Sequence, residues 1–266
     1  MRFIKWIIGF IKKSLNDNIT VYAAQAAYYL VVSAVPMLII LLSAGVYFLP
    51  VDKYDIIKMI PDFASEDVEK FFVTIVSEIF ERPRTSVISL SAAATLWSAS
   101  RGVAAVERGI RAIYKIPKRQ NYIKGVLISF LYTLLLTAII ILSVGVLGFG
   151  EMLINFIKSH TGENADFGMF LYILIFLVAV LVFTAVYTGF SARKISFLSN
   201  LPGGLFTSAG WILFSYAFSV YINNFANYPK IYGSLTVIVL LMLWVYFAMI
   251  ILLFGAEINM EITEKR

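Results

Sequence analysis

The stretch Leu96-Trp97-Ser98-Ala99-Ser100-Arg101-Gly102-Val103-Ala104-Ala105-Val106-Glu107-Arg108-Gly109-Ile110-Arg111-Ala112-Ile113-Tyr114 decides how the chain is read. It begins as an apolar helix and ends as a basic one. At helical spacing Ser91, Ala94, Ser98, Gly102, Ala105 and Gly109 share one face, and all are small enough to let another helix approach closely. A second stripe carries Trp97, Arg101, Ala104, Arg108, Arg111 and Lys115. One face is suited to packing, the other to charge.

Outward from this stretch, composition sets the class. The 266 residues are 60% hydrophobic and only 14% charged, whereas a soluble domain is nearer a quarter charged. The apolar residues gather in runs of about 20, the length that crosses a hydrocarbon core. The expected fold is all-α: one polytopic membrane helical bundle over 1–266. Its six transmembrane helices are expected at about 23–49, 85–105, 122–150, 167–190, 201–222 and 233–256. Two amphipathic helices accompany them. Met1–Lys13 carries Phe3, Ile7, Phe10 and Ile11 on one side with cations elsewhere, and reads as an interfacial helix. In the polar segment after Pro50, Val68, Phe71, Phe72, Ile75, Val76, Ile79 and Phe80 form one apolar face, predicting an extracytoplasmic helix at the membrane surface.

Charge sets the expected orientation. Six spans put both termini on one side, and that side carries 15 of the 22 lysines and arginines. Lys/Arg-rich loops stay cytoplasmic, so both termini are expected in the cytoplasm.

The same inventory weighs against most enzyme chemistry. There is no cysteine, and the single histidine is His160. Thiolate metal sites, cysteine nucleophiles and histidine-based hydrolysis lose their usual parts. No catalytic residue, metal or cofactor is expected, and no nucleic-acid partner. The expected partners are anionic membrane lipids, with a homo-oligomer left open.

Polar residues at membrane depth mark the candidate site. Gln25, Tyr29 and Ser33 share a face of the first span, expected to point into the bundle, and Pro36 follows as a kink or hinge. In the expected orientation Gln25 and Tyr29 lie near the inner leaflet with Arg101, Arg108, Glu257 and Asn259. Arg101 is expected to pair with Glu257, because an ionisable group at depth is costly alone. For Arg108, Arg111 and Lys115 the competing reading is snorkelling and topology. Trp97 and Trp244 are expected in the core. Ser98, Gly102, Gly233 and Gly255 are expected to serve packing and turns.

Three places resemble the YihY/virulence factor BrkB family of bacterial inner-membrane proteins: Ala26-Ala27-Tyr28-Tyr29 through Ser33 to Pro36, Leu96-Trp97-Ser98-Ala99-Ser100-Arg101-Gly102, and Tyr232-Gly233-Ser234 running to Leu243-Trp244 and Gly255-Ala256-Glu257-Ile258-Asn259. The resemblance implies a six-span protein of the bacterial cytoplasmic membrane. It implies no firm activity. Members have been linked to serum resistance and to envelope lipid or export functions, and some carry a ribonuclease BN label. The residues here argue against that label, because the expected cytoplasmic loops offer Glu107, Glu261 and Glu264 without histidine or aspartate. The leading expectation is transport or flipping of an anionic amphiphile. The alternative is a non-transporting scaffold that binds anionic lipid or a protein partner.

Overall fold

A computed structural model of the chain describes residues 13, 16–48, 57, 73–74, 76–77, 85–117, 167–191, 195–225 and 235–264. Every described element is helical: α1 Ile19–Phe48, α2 Thr85–Ile113, α3 Phe167–Phe190, α4 Phe197–Phe225 and α5 Thr236–Glu264. The expected 122–150 span, the face over 68–80 taken as a whole, Gly233 and the helix over 1–12 lie outside the described residues.

The helix ends follow from local chemistry. Before α1, Asn18 adopts a left-handed φ of 54°, and its carbonyl accepts from Val21 and Tyr22 at 3.0 and 3.2 Å. α1 then runs unbroken through Pro36. α2 continues eight residues past its expected end at 105. It closes by a paired turn in which Lys115 N donates to Ala112 O at 3.1 Å and Ile116 N to Arg111 O at 2.9 Å. Lys115 takes the left-handed position, φ 53°, that glycine usually fills. Pro117 lies beyond this stop. α4 starts at Phe197, ahead of the expected opening at Pro202. Ser196 caps it, its Oγ accepting from Ser199 N at 3.3 Å. α5 likewise runs past 256, to Glu264.

Contacts fix the packing directions. Gly109 meets Tyr22 while Gly102 meets Leu30, so α2 runs antiparallel to α1. Gly109 also meets Leu253, and Lys115 reaches Glu264, so α5 runs parallel to α2. Gly203 and Gly210 meet Gly255 and Ile251, which sets α4 antiparallel to α5, and Gly204 packs on Thr184 of α3. The small face of α2 is therefore the packing face: Ser98, Gly102, Ala105 and Gly109 are all buried.

The core gathers where α2, α3 and α5 end and α1 begins, around Ile19, Ile110, Ile113, Tyr187, Leu253 and Met260. The outward side of α4 is different. Leu213 is 70% and Tyr216 71% exposed, an apolar surface suited to hydrocarbon and not to water. Two described helices are long and apolar enough to cross a membrane, Phe197–Ile222 and Ile238–Glu264.

Candidate functional site

The exposed stripe of α2 lies against the polar start of α1. Arg108 Nη2 donates to Gln25 Oε1 at 3.1 Å, both side chains exposed. About two turns away, the Arg101 guanidinium carbon stands 5.6 Å from the centroid of the Trp97 ring, a cation–π geometry. Tyr29 meets Trp97 edge-on at 6.3 Å, and Tyr28 meets Tyr29 at 5.3 Å. Trp97 is 58% exposed. It belongs to a surface, not to the expected core, because the four-residue step to Arg101 puts both on the charged stripe. Gln25 also faces outward, while Ser33, expected on the same face, is buried and donates to Leu30 O at 2.7 Å. Two guanidiniums, an indole and two phenols thus share one outward face of α1 and α2.

Glu257 does not pair with Arg101. It is wholly buried, and the Lys13 ammonium stands 2.7 Å from its Oε1. The cause is register. Measured from the Gly109–Leu253 contact, Arg101 lies eight residues one way and Glu257 four the other, about 18 Å apart along the axes at 1.5 Å per residue. Lys13 stands one helical turn before Asp17, whose N–H donates to Lys13 O at 2.9 Å. Lys115 reaches Glu264 Oε1 at 3.0 Å and Lys13 stands 3.7 Å from Glu264 Oε2. Burial opposes the Lys13 charge, but the Glu257 contact outweighs it and holds the ammonium above its usual 10.5. Burial raises the Asp17 carboxyl above its usual 3.8, against the pull of Lys13 and Lys115. Lys13, Asp17 and Lys115 were absent from the expected site. The only hint in the sequence was the four-residue spacing of Lys13 and Asp17.

Asn259 belongs to a third group, a buried polar seam. Its Oδ1 accepts from Gly203 N at 2.7 Å. Nearby Tyr114 donates to Asn200 Oδ1 at 2.9 Å, and Asn200 Nδ2 donates to Thr188 Oγ1 at 3.1 Å. Tyr187 donates to Leu252 O at 2.7 Å and contacts Thr207 Oγ1 at 2.6 Å. A Cβ on Gly203 would meet the Gly255 carbonyl, and one on Gly255 would meet Thr207 and Tyr187. The glycines are required by close approach. Trp244 sits half-buried, edge-on to Trp211 at 5.4 Å, with its Nε1 donating to Ser215 Oγ at 3.3 Å. Among the described residues no group of three or more His, Asp or Glu could hold a metal ion.

The virulence factor BrkB family profile matches residues 10–266. The chain belongs to the virulence factor BrkB family. Its relatives include a ribonuclease-like protein, YfkH, of Bacillus subtilis, 28% identical over 92% of this chain and 90% of that protein. UPF0761 membrane proteins of Pseudoalteromonas translucida and Alteromonas mediterranea are 24% and 27% identical, each over 96% of this chain and over 84% and 86% of their own lengths. No solved structure matches. This BrkB-family chain is a membrane protein, as those names and the two long apolar helices among its described residues indicate.

Proposed function

We propose that this protein moves or flips an anionic amphiphile, such as a lipid with a phosphate headgroup, at the cytoplasmic leaflet of the bacterial inner membrane. The observation that carries the reading is Arg101 held over an exposed Trp97, with Arg108 on Gln25 along the same outward face. A guanidinium there has no carboxylate partner among the described residues, and it offers two parallel donors to a phosphate. The indole and the phenols suit the boundary between headgroup and chains. In this reading six helices cross the membrane with both termini inside. The BrkB-family protein works without a catalytic group, although YfkH carries a ribonuclease-like name.

Reconstitution with a labelled anionic lipid tests this. Wild type is expected to transfer lipid between leaflets faster than empty liposomes, with Arg101→Ala and Arg108→Ala near the empty-liposome rate. Equal rates for all three proteins and the empty liposomes would reject transport. Arg101-dependent lipid binding without transfer would instead favour a scaffold that holds anionic lipid.

A further inference from the structure

The charged stripe of α2 carries four cations, and two of them meet carboxylates. Arg111 faces Glu107 at 3.6 Å and donates to Pro117 O at 2.6 Å. Lys115 reaches Glu264 at 3.0 Å. Among the described residues Arg101 and Arg108 rest on neutral groups instead, the ring of Trp97 and the amide oxygen of Gln25. The acids of the whole chain are placed accordingly. Of its 16 acidic residues, 11 fall in 49–84 and 151–166, the segments that the six-span reading puts on the opposite side of the membrane. The other five are Asp17, Glu107, Glu257, Glu261 and Glu264. Glu107 faces Arg111, and the remaining four gather toward the Lys115 end of α2, away from Arg101.

Spacing sets the kind of anion these two can share. Arg101 and Arg108 are seven residues apart, about 10 Å along the helix axis and within about 20° of the same direction. A guanidinium carbon stands about 4 Å from the phosphorus it holds, so one phosphate reaches two guanidiniums only when these are within about 8 Å. Two linked phosphates carry the span past about 10 Å. Ala104, the stripe residue between the two arginines, is half-buried and too short to fill the gap. A hydrogen bond to an anion is about twice as strong as one between neutral groups, so an arriving phosphate displaces the Gln25 oxygen from Arg108. Past Arg101 the outward face turns apolar, with Trp97, Tyr28 and Val32 all exposed. Gln25, Tyr28 and Val32 recur at helical spacing on one stripe of α1, so the face grades from polar at Arg108 to apolar beyond Arg101.

We propose that Arg108 and Arg101 together bind a diphosphate ester of an apolar chain, with the two phosphates in series along α2 and the chain against Trp97 and Val32. This rests on the reading of the α1–α2 face as an anion site, and adds the class of headgroup. Arg101 takes the phosphate that carries the chain, and Arg108 takes the outer one. In the six-span reading α2 crosses the membrane, so the step from Arg108 to Arg101 is a step in depth. A headgroup whose phosphates lie side by side at one depth, as across a glycerol bridge, meets only one of the two guanidiniums.

The test is equilibrium binding to the purified full chain in nanodiscs of net-neutral lipid, at one salt concentration and against empty nanodiscs. Farnesyl diphosphate is expected to bind about tenfold tighter than farnesyl monophosphate. Arg101→Ala and Arg108→Ala are each expected to weaken the diphosphate about tenfold and bring the two probes level, with melting curves that nearly overlay the wild type. Equal affinity of the two probes in wild type, lowered by Arg101→Ala, would overturn the two-phosphate site and leave the lipid-moving reading intact. A diphosphate preference that survives in both variants would overturn the assignment to this pair. Inorganic diphosphate binding as tightly as farnesyl diphosphate would make the ligand a soluble anion. A short-chain glycerol-bridged bisphosphate lipid binding as tightly would set the phosphates side by side. Either result overturns the proposal. No binding of either farnesyl probe would remove the anion site itself, and both readings with it. Arginine-dependent diphosphate preference without transfer between leaflets would support the site and reject transport.

Discussion

The α1–α2 face and the α4–α5 seam both rely on small residues, and they use them in opposite ways. On α2, Gly102 and Gly109 make room for side chains: Leu30 and Tyr22 from α1 and Leu253 from α5. Those side chains act as spacers, and the far side of α2 remains free to present Trp97, Arg101 and Arg108. At the α4–α5 seam Gly203 and Gly255 bring backbone against backbone, and the neighbouring polar groups turn inward onto one another. The first arrangement keeps polarity available to a ligand. The second spends it on holding helices together. A polar residue in a membrane helix is therefore informative only with its direction: Asn259 and Arg108 looked alike as candidate ligands, and one of them is a clamp.

The sharpest way to break this comparison is to add one methyl group on each side. Gly203→Ala places a Cβ on the Gly255 carbonyl and on Asn259, where nothing flexible can yield. A loss of at least about 3 kcal/mol is expected, seen as failed accumulation or a collapsed thermal transition in detergent. Gly102→Ala meets the Leu30 side chain, 3.0 Å from its Cγ, and comes no closer to backbone than 3.5 Å, at the Ala26 carbonyl, and is expected to cost about 1 kcal/mol. Equal losses would remove the distinction between the two interfaces.

Lys13→Ala comes next. It leaves Glu257 buried without its cation, at a cost of about 3 kcal/mol, the low end for a broken buried pair because Lys13 is 31% exposed. The double change Lys13→Met with Glu257→Gln should recover most of that loss in a thermal melt. Lys13 sits above 10.5 in the fold, so its contribution is complete below pH 10.5 and fades only as pH rises through the elevated value. Tyr114→Phe orphans Asn200 Oδ1 inside the seam, and about 1 to 2 kcal/mol of stability should go with it.

The smallest stability change belongs to the outward face. Arg101→Ala removes a cation–π contact worth about 0.5 to 1 kcal/mol, so its melting curve should nearly overlay the wild type. Its binding to anionic vesicles should nonetheless fall. An Arg101 variant that melts as early as Tyr114→Phe would make Arg101 a structural residue and blur the contrast.

Much of this layout was legible in the residues. The small stripe on α2 announced the packing face, since any side chain there would hold α1 away. The four-residue step from Trp97 to Arg101 announced a shared stripe, although not that it faces outward. Helix ends were less legible. A lysine in the left-handed position after α2 carries no signature, because glycine is the usual occupant there. Ser196 was a readable cap, but Pro202 drew attention away from it. Glu257 could be recognised as needing a partner. Which one depended on axial register between helices far apart in sequence, and spacing within one helix does not encode that. The seam was the least legible part. Asn200, Thr188 and Tyr187 read as ordinary polar residues until tertiary packing aligns them.

The closeness of Gly203 to Gly255 also bears on how the molecule could move. Two helices touching backbone to backbone have no soft layer between them, so α4 and α5 travel as one rigid body, with α3 fastened to it through Thr184 against Gly204. The parting line of any large motion then runs between α5 and the α1–α2 pair, where the contacts are side chains such as Leu253 in the hollow at Gly109. Lys13 bridges that line.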